Sequence, residues 1–350
     1  MAEIGSYKED ILHIYEQDLP WGKLSGTNIL ITGATGLIGG CLVDALMLNP
    51  QRNYHVYASG RNEGRAMERF KEYQQDDAFH FIKYDVLEKL DVDVHFEYII
   101  HAASNASPNF FASKPVEVIK SNIIGVLNLI EYGMNNGMKR FLYISSGEVY
   151  GEGDGRDFSE DYSGYVNCTL PRACYPSSKR AAETLCVSYA AEYSLDVVIA
   201  RPCHTYGPFF AEQDNRVYAQ FFRNVLLGEN IIMKSTGEQF RAWCYVVDCV
   251  SALLYILLKG ENSQAYNIAD NSSNISIREL ADIVANLSGK KVIVEAPDSG
   301  EKRGYNLVRK SVFSTTKLEC LGWKPRTSIV SGINKTIHTL IDNNIVYEKN

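Results

Sequence analysis

The chain reads as an α/β protein, a doubly wound parallel sheet with a smaller, discontinuous C-terminal lobe. Three observations predict this. An apolar run at 28–32 enters a glycine-rich turn, TGATGLIGG at 32–40, and a helical pattern follows. Short apolar runs then alternate with helical patterns up to residue 202, as crossovers between parallel strands require. After residue 202 the rhythm breaks into the turn-rich, polar-aromatic stretch CHTYGPFFAEQDN at 203–215. With 350 residues, 45% of them hydrophobic, there is enough apolar surface for one large core and one lobe.

Residues 1–25 read as an N-terminal appendage. Over 1–19, Ile4, Tyr7, Ile11 and Ile14 share one face, so an amphipathic helix is expected to pack on the domain or on a partner subunit. Strands are expected at 28–32, 55–58, 79–84, 98–102, 140–146 and 196–202. One helix runs over 37–48. Another covers 115–133, where Val116, Ile119, Ile123, Val126, Leu127 and Ile130 recur at helical spacing. Pro176 fits the first turn of a third helix, which reaches about Tyr193, because its missing N–H has no intrahelical partner there. Residues 26–202 thus form a dinucleotide-binding domain to which 243–270 return, and 203–242 with 271–350 form a substrate lobe.

The net charge of −7 provides no basic stripe, so nucleic acid is not an expected partner. The longest apolar segment, 245–258, is too short to span a bilayer and contains Asp248 and Ser251. The first twenty residues lack a secretory pattern, so no membrane association is expected. The eight cysteines form no C-x-x-C pair and no His cluster at zinc spacing. They read as buried thiols of a reducing cytoplasm, with no metal site.

The glycine turn is of the Rossmann type. Gly33, Gly36 and Gly39 allow a sharp bend, close approach of a pyrophosphate and tight helix packing; Thr35, Leu37 and Ile38 complete the loop and the helix start. About twenty residues on, NAD binders place a carboxylate for the ribose 2′-hydroxyl. Here Ser59, Gly60 and Arg61 stand instead, and a guanidinium suits a 2′-phosphate. NAD and NADP are therefore both open.

YPSSK at 175–179 sets Tyr175 one helical turn before Lys179. An ammonium there is expected to lower the phenol's pKa and to hold the nicotinamide ribose. Strand five ends in SSGEVYG, where Ser146 can bond the same substrate oxygen and Glu148 reads either as a second acid or base or as a buried salt-bridge partner. The predicted step is loss of a hydroxyl proton to Tyr175 as hydride leaves that carbon.

These residues resemble the extended short-chain dehydrogenase/reductase family of sugar-nucleotide epimerases, dehydratases, decarboxylases and reductases. The likeness covers about residues 26–325. It includes Asp85 and Val86, HAAS at 101–104, Asn122, and YGP at 206–208. For the cofactor it implies contacts from Asp85, Val86, Ala102, Ala103, Ser104, Asn122, Tyr175, Lys179 and Pro202. Within the family, the UDP-glucuronate decarboxylase branch is most similar, through ASP at 106–108, EVYG at 148–151, PRACY at 171–175, KRAAET at 179–184 and Arg241 before YVVD. That implies oxidation at C4 of the sugar, loss of the C6 carboxylate and reduction again at C4, with Ser146, Glu148, Tyr175, Lys179 and Arg241 lining the site.

The chain departs from that branch at 59–61, at Gly147 (Ser in the branch), at His204 (Asn in the branch) and in PSS at 176–178. A reductase of a nucleotide-linked keto sugar, drawing on NAD(P)H, and an epimerase stay open as alternatives. The expected ligand is a nucleotide-diphosphate sugar. Its candidate contacts are Ser107, Arg172, His204, Arg216, Arg241 and Arg303, among which Arg172 reads equally as a structural ion-pair partner and Arg303 as a surface arginine. The resemblance further implies a homodimer through the helices at 116–133 and 176–193, where Ala182, Ala190 and Ala191 permit close approach.

Overall fold

A computed structural model describes residues 6–295 and 308–343. Ser6 and Glu9 form a capping box that starts α1 (Tyr7–Leu12). The expected helix over 1–19 is thus short: it begins at the cap, and beyond Leu12 the chain turns. Ile4 lies outside the described residues. Tyr7, Ile11 and Ile14 are buried in the main core, and the Tyr7 hydroxyl donates to Asp44 at 2.8 Å.

Seven parallel strands form the main sheet. They are β1 (Asn28–Thr32), β2 (His55–Gly60), β3 (Phe79–Lys83), β4 (Tyr98–His101), β5 (Arg140–Ile144), β6 (Val197–Pro202) and β10 (Ala265–Ile268), in the order β10-β6-β5-β4-β1-β2-β3. The strands are apolar on both sides because both sheet faces are covered. Ile29 and Ile31 point into one core with α2 (Leu37–Met47) and α8 (Val246–Lys259); Leu30 points into the other with α5 (Pro115–Asn135) and α6 (Cys174–Tyr193). The short helices α3 (Glu63–Arg69) and α4 (Pro108–Ser113) follow β2 and β4. Strand bounds differ from expectation by a few residues, since sheet pairing sets the ends: β2 reaches Gly60 because Gly60 pairs with Lys83.

The lobe is assembled from separate segments. Strands β7 (His204–Tyr206), β9 (Phe240–Tyr245), β11 (Asp270–Ser276) and β13 (Lys310–Ser311) make a four-stranded sheet centred on β9. A two-stranded sheet joins β8 (Ile231–Met233) to β12 (Val292–Val294). Helices α7 (Val217–Leu226), α9 (Ile277–Ser288), α10 (Thr316–Glu319) and α11 (Ile329–Asp342) complete it. In the segment from 243, β9 belongs to this lobe sheet; α8 and β10 are the parts that return to the main domain.

One polar network ties the two units together beneath the site. Arg201 on β6 pairs with Glu183 of α6 at 2.6 Å and donates to the Tyr150 hydroxyl at 3.0 Å. Tyr150 donates to Asn267 of β10, whose amide donates to the carbonyls of Phe158 and Ser314. Such groups are costly to bury unless every partner is present.

The N-terminal segment is part of the core by this packing. Ile11→Ala should cost about 2–5 kcal/mol of stability, the range for deleting a fully buried aliphatic side chain. Denaturant unfolding measures it, and a loss under about 0.5 kcal/mol would place the segment off the core.

Candidate active site

The strand order reverses at β1, which lies between β2 and β4, so a crevice opens at the carboxyl ends of β1 and β4. Gly33, just past β1, has φ +67°, and a Cβ there would sit 2.7 Å from the Ala103 backbone. A Cβ on Gly39 would sit 2.4 Å from the Gly33 carbonyl oxygen. Gly36 caps α2 without a side-chain hydrogen bond, which leaves the N–H groups of the first turn, at Leu37 and Ile38, to an anion.

A cleft of about 230 Å³ beside this loop is lined by Gly33, Thr35, Gly36, Ser59, Gly60, Arg61, Asp85, Val86, Ala102, Ala103 and Ser104. Arg65, Tyr84, Asn105 and Glu117 line it too and escaped sequence reasoning; only Arg65, four residues past Arg61, carried a signal. The Ser59 hydroxyl is buried beside the cleft without a protein partner, as is His101 Nε2 at the end of β4. Orphaned polar atoms, an uncapped helix start and a glycine cradle fit a dinucleotide. Asn122 acts from behind, donating to Ser178 at 2.9 Å and accepting from Ser104 at 2.8 Å. Pro202 is buried at the end of β6.

Tyr175 and Lys179 lie in the first two turns of α6 and are both buried. The Lys179 ammonium donates to the Ile144 carbonyl at 2.8 Å, 4.7 Å from the Tyr143 ring centre and 5.8 Å from that of Tyr175. Burial lowers its pKa to about 7. His101, also buried, is held neutral, with its pKa lowered to about 3 by burial and then by Lys179. The Tyr175 phenol does not have the lowered pKa expected from Lys179. Burial raises it to about 12 and Glu148 adds to the rise, while a hydrogen bond from Ser146 and the charges of Arg216 and Arg172 work against it. The expectation fails because desolvation of the buried phenol outweighs the positive charges around it. Phe111 of α4, absent from the sequence reading, stacks on Tyr175 at 4.7 Å between ring centres.

A second cavity of about 830 Å³ opens beside these groups, lined by Ala106, Pro108, Phe111, Glu148, Arg172, His204, Asn215, Arg216, Met233, Gln239, Arg241 and Trp243 among others. Arg172 pairs with Glu148 at 2.9 Å, as its ion-pair reading expects, lies 4.5 Å from the centre of the Phe111 ring and lines the cavity. Its Nε is buried without a partner. Arg216 is held by Asp214 at 2.5 Å and by the Tyr218 hydroxyl at 2.8 Å. Arg241 donates to the carbonyls of Phe240, Val308 and Arg309, and burial lowers its pKa to about 10. His204 packs against Trp243 and is kept neutral by burial and then by Arg241 and Arg216. Ser107 does not line the cavity; its hydroxyl donates to Asn215, which does. Arg303 lies outside the described residues. At Gly147 a Cβ would fall 2.2 Å from the Phe313 ring, so Phe313 occupies the space that a side chain between Ser146 and Glu148 would need. Among the described residues no group of His, Cys, Asp or Glu could hold a metal ion, and no helix is long and apolar enough to cross a membrane.

Residues 29–269 match the NAD dependent epimerase/dehydratase family. UDP-glucuronic acid decarboxylase 6 of Arabidopsis thaliana is 36% identical over 313 residues, 88% of this chain and 87% of that protein. UDP-glucuronic acid decarboxylase 1 of Xenopus tropicalis is 34% identical over 316 residues, 89% of this chain and 71% of that protein. Among solved structures, UDP-glucose 4-epimerase of Thermotoga maritima with UDP-glucose superposes with a TM-score of 0.77 at 27% identity, covering 91% of this chain and 99% of that one. The fold is shared with a dTDP-glucose 4,6-dehydratase of Streptomyces venezuelae solved with NAD, at a TM-score of 0.79, 22% identity, and coverage of 92% and 99%. The chain belongs to the NAD dependent epimerase/dehydratase family, nicotinamide-dependent enzymes that act on sugar nucleotides.

Burial of Lys179 has a sign in solution. Between the folded value of about 7 and the ordinary lysine value of 10.5, the unfolded chain holds a proton that the folded one lacks. Stability therefore rises with pH across that window. Lys179→Met should flatten this rise, compared with the wild type by denaturant unfolding from pH 6.5 to 10; parallel curves would contradict a desolvated ammonium.

Proposed function

We propose that this member of the family decarboxylates a nucleotide-linked glucuronate, UDP-glucuronate by likeness to its relatives. The observation that carries the reading is the cavity beside Tyr175, where Arg172, Arg216, Arg223, Lys234 and Arg241 outnumber the two carboxylates of the lining, Glu148 and Glu229. A substrate with a diphosphate at one end and a carboxylate at the other complements that surplus of positive charge.

When bound, the dinucleotide supplies a hydride acceptor and donor for C4 of the sugar. Gly33, Gly36 and the α2 N-terminus would hold its pyrophosphate, and Lys179 its ribose. Tyr175, reacting as the phenolate that the Ser146 hydrogen bond favours, takes the proton of the C4 hydroxyl. The 4-keto uronate is a β-keto acid. Its C5–C6 bond breaks, carbon dioxide leaves, the electron pair passes to the C4 oxygen as an enolate, and a proton is added at C5. Glu148, oriented by Arg172, is the second acid–base group. Tyr175 finally returns its proton to the C4 oxygen. A homodimer through α5 and α6 belongs to the same reading: the two helices pack together, while Val116 and Tyr193 on them are 63% and 50% exposed.

A second reading, net reduction of a keto sugar, is favoured by one observation, the lack of a carboxylate at the end of β2. Under the leading reading, UDP-glucuronate yields carbon dioxide and a UDP-pentose with no net change in nicotinamide absorbance, and Tyr175→Phe lowers turnover by about 10²–10⁴-fold. Absence of product from any nucleotide uronate, or stoichiometric consumption of reduced dinucleotide, would remove the decarboxylase assignment.

A further inference from the structure

The end of β2 places Ser59, Gly60 and Arg61 in the dinucleotide cleft. Ser59 borders the cleft but is only 1% exposed, and its hydroxyl is buried with no protein partner. Beside it, a Cβ built on Gly60 would meet nothing nearer than the Thr35 hydroxyl at 3.8 Å, so there is room for a group larger than a hydroxyl. Arg61 approaches Glu117 at 3.5 Å and Asp85 at 4.0 Å, both through Nη1, and its side chain is 57% exposed. The Nε–Nη2 edge of the guanidinium takes part in neither contact. Arg65 lines the same cleft and donates from Nη2 to the Thr35 carbonyl at 2.9 Å, which adds a second positive charge.

We propose that Ser59, Gly60 and Arg61 form a seat for a 2′-phosphate, so that this chain prefers NADP(H) to NAD(H). A ribose 2′-hydroxyl is selected by a carboxylate at the end of the second strand, which also repels a phosphate there. This chain has none at that point. Two guanidiniums, Arg61 and Arg65, face two carboxylates, Asp85 and Glu117, and leave the rim neutral. A phosphate dianion entering beside Gly60 meets the planar edge of Arg61, whose geometry matches two phosphate oxygens. The proposal rests on the dinucleotide assignment of the cleft and is independent of which sugar is processed.

Calorimetric titration of the purified, nucleotide-stripped enzyme with NADP⁺ and with NAD⁺ tests it without any turnover. NADP⁺ should bind at least about tenfold more tightly, the size expected for charge-assisted hydrogen bonds. Arg61→Ala, at an exposed position, should weaken NADP⁺ by about tenfold or more and change NAD⁺ by less than about threefold. Gly60→Asp, where nothing obstructs a Cβ, should reverse the preference. Equal or tighter binding of NAD⁺ to the wild type would overturn the proposal, as would an Arg61→Ala variant weakened alike for both. Failure of both dinucleotides to bind would overturn the cleft assignment itself, whereas NADP⁺ preference without carbon dioxide release would leave the seat in place and remove only the decarboxylase reading.

Discussion

The site depends on one buried contact, the Lys179 ammonium donating to the carbonyl of Ile144 at the end of β5. A lysine is rarely buried unless its nitrogen finds acceptors. This one docks α6 onto the sheet and sets the ring of Tyr175 over the turn that carries Ser146 and Glu148. The geometry is reinforced from both sides. Ser178, one residue earlier on α6, receives the Asn122 amide from α5, and Glu183, one turn later, holds Arg201 of β6. Moving Lys179 would therefore disturb the phenol, the helix pair and the contact with β6 together.

Burial carries a chemical cost that the rest of the site answers. A phenol raised to about 12 is scarcely ionised at neutral pH, and the groups that work against the rise are Ser146, Arg216 and Arg172. Three arginines of the larger cavity are themselves held in place: Arg172 by Glu148, Arg216 by Asp214, Arg241 by three carbonyls. Such anchoring fixes their positions before an anion arrives, which spares side-chain entropy on binding. The segment after residue 307 serves twice. The carbonyls of Val308 and Arg309 clamp Arg241, and Phe313 packs over Gly147 between the two candidate catalytic side chains. The glycine that departs from the decarboxylase pattern thus has a local packing reason.

What the sequence determined by itself was whatever depends on neighbours in the chain. The apolar runs, the glycine turn with its following helix, the Tyr175–Lys179 spacing and the family likeness could all be read, because backbone pattern and motif spacing are local properties. The N-terminal helix was only half legible: its buried face was visible in the spacing, whereas its length depended on the Ser6 cap and the turn after Leu12. Tertiary structure alone decided the electrostatics and the lobe. The phenol's pKa depends on desolvation, which no spacing encodes. Phe111 and Phe313 reach the site from α4 and from beyond residue 307. The lobe sheet gathers strands from residues 204 to 311, and its pairing follows from packing between segments far apart in the chain. Long-range contact, not local pattern, sets which charges meet and which lose their water.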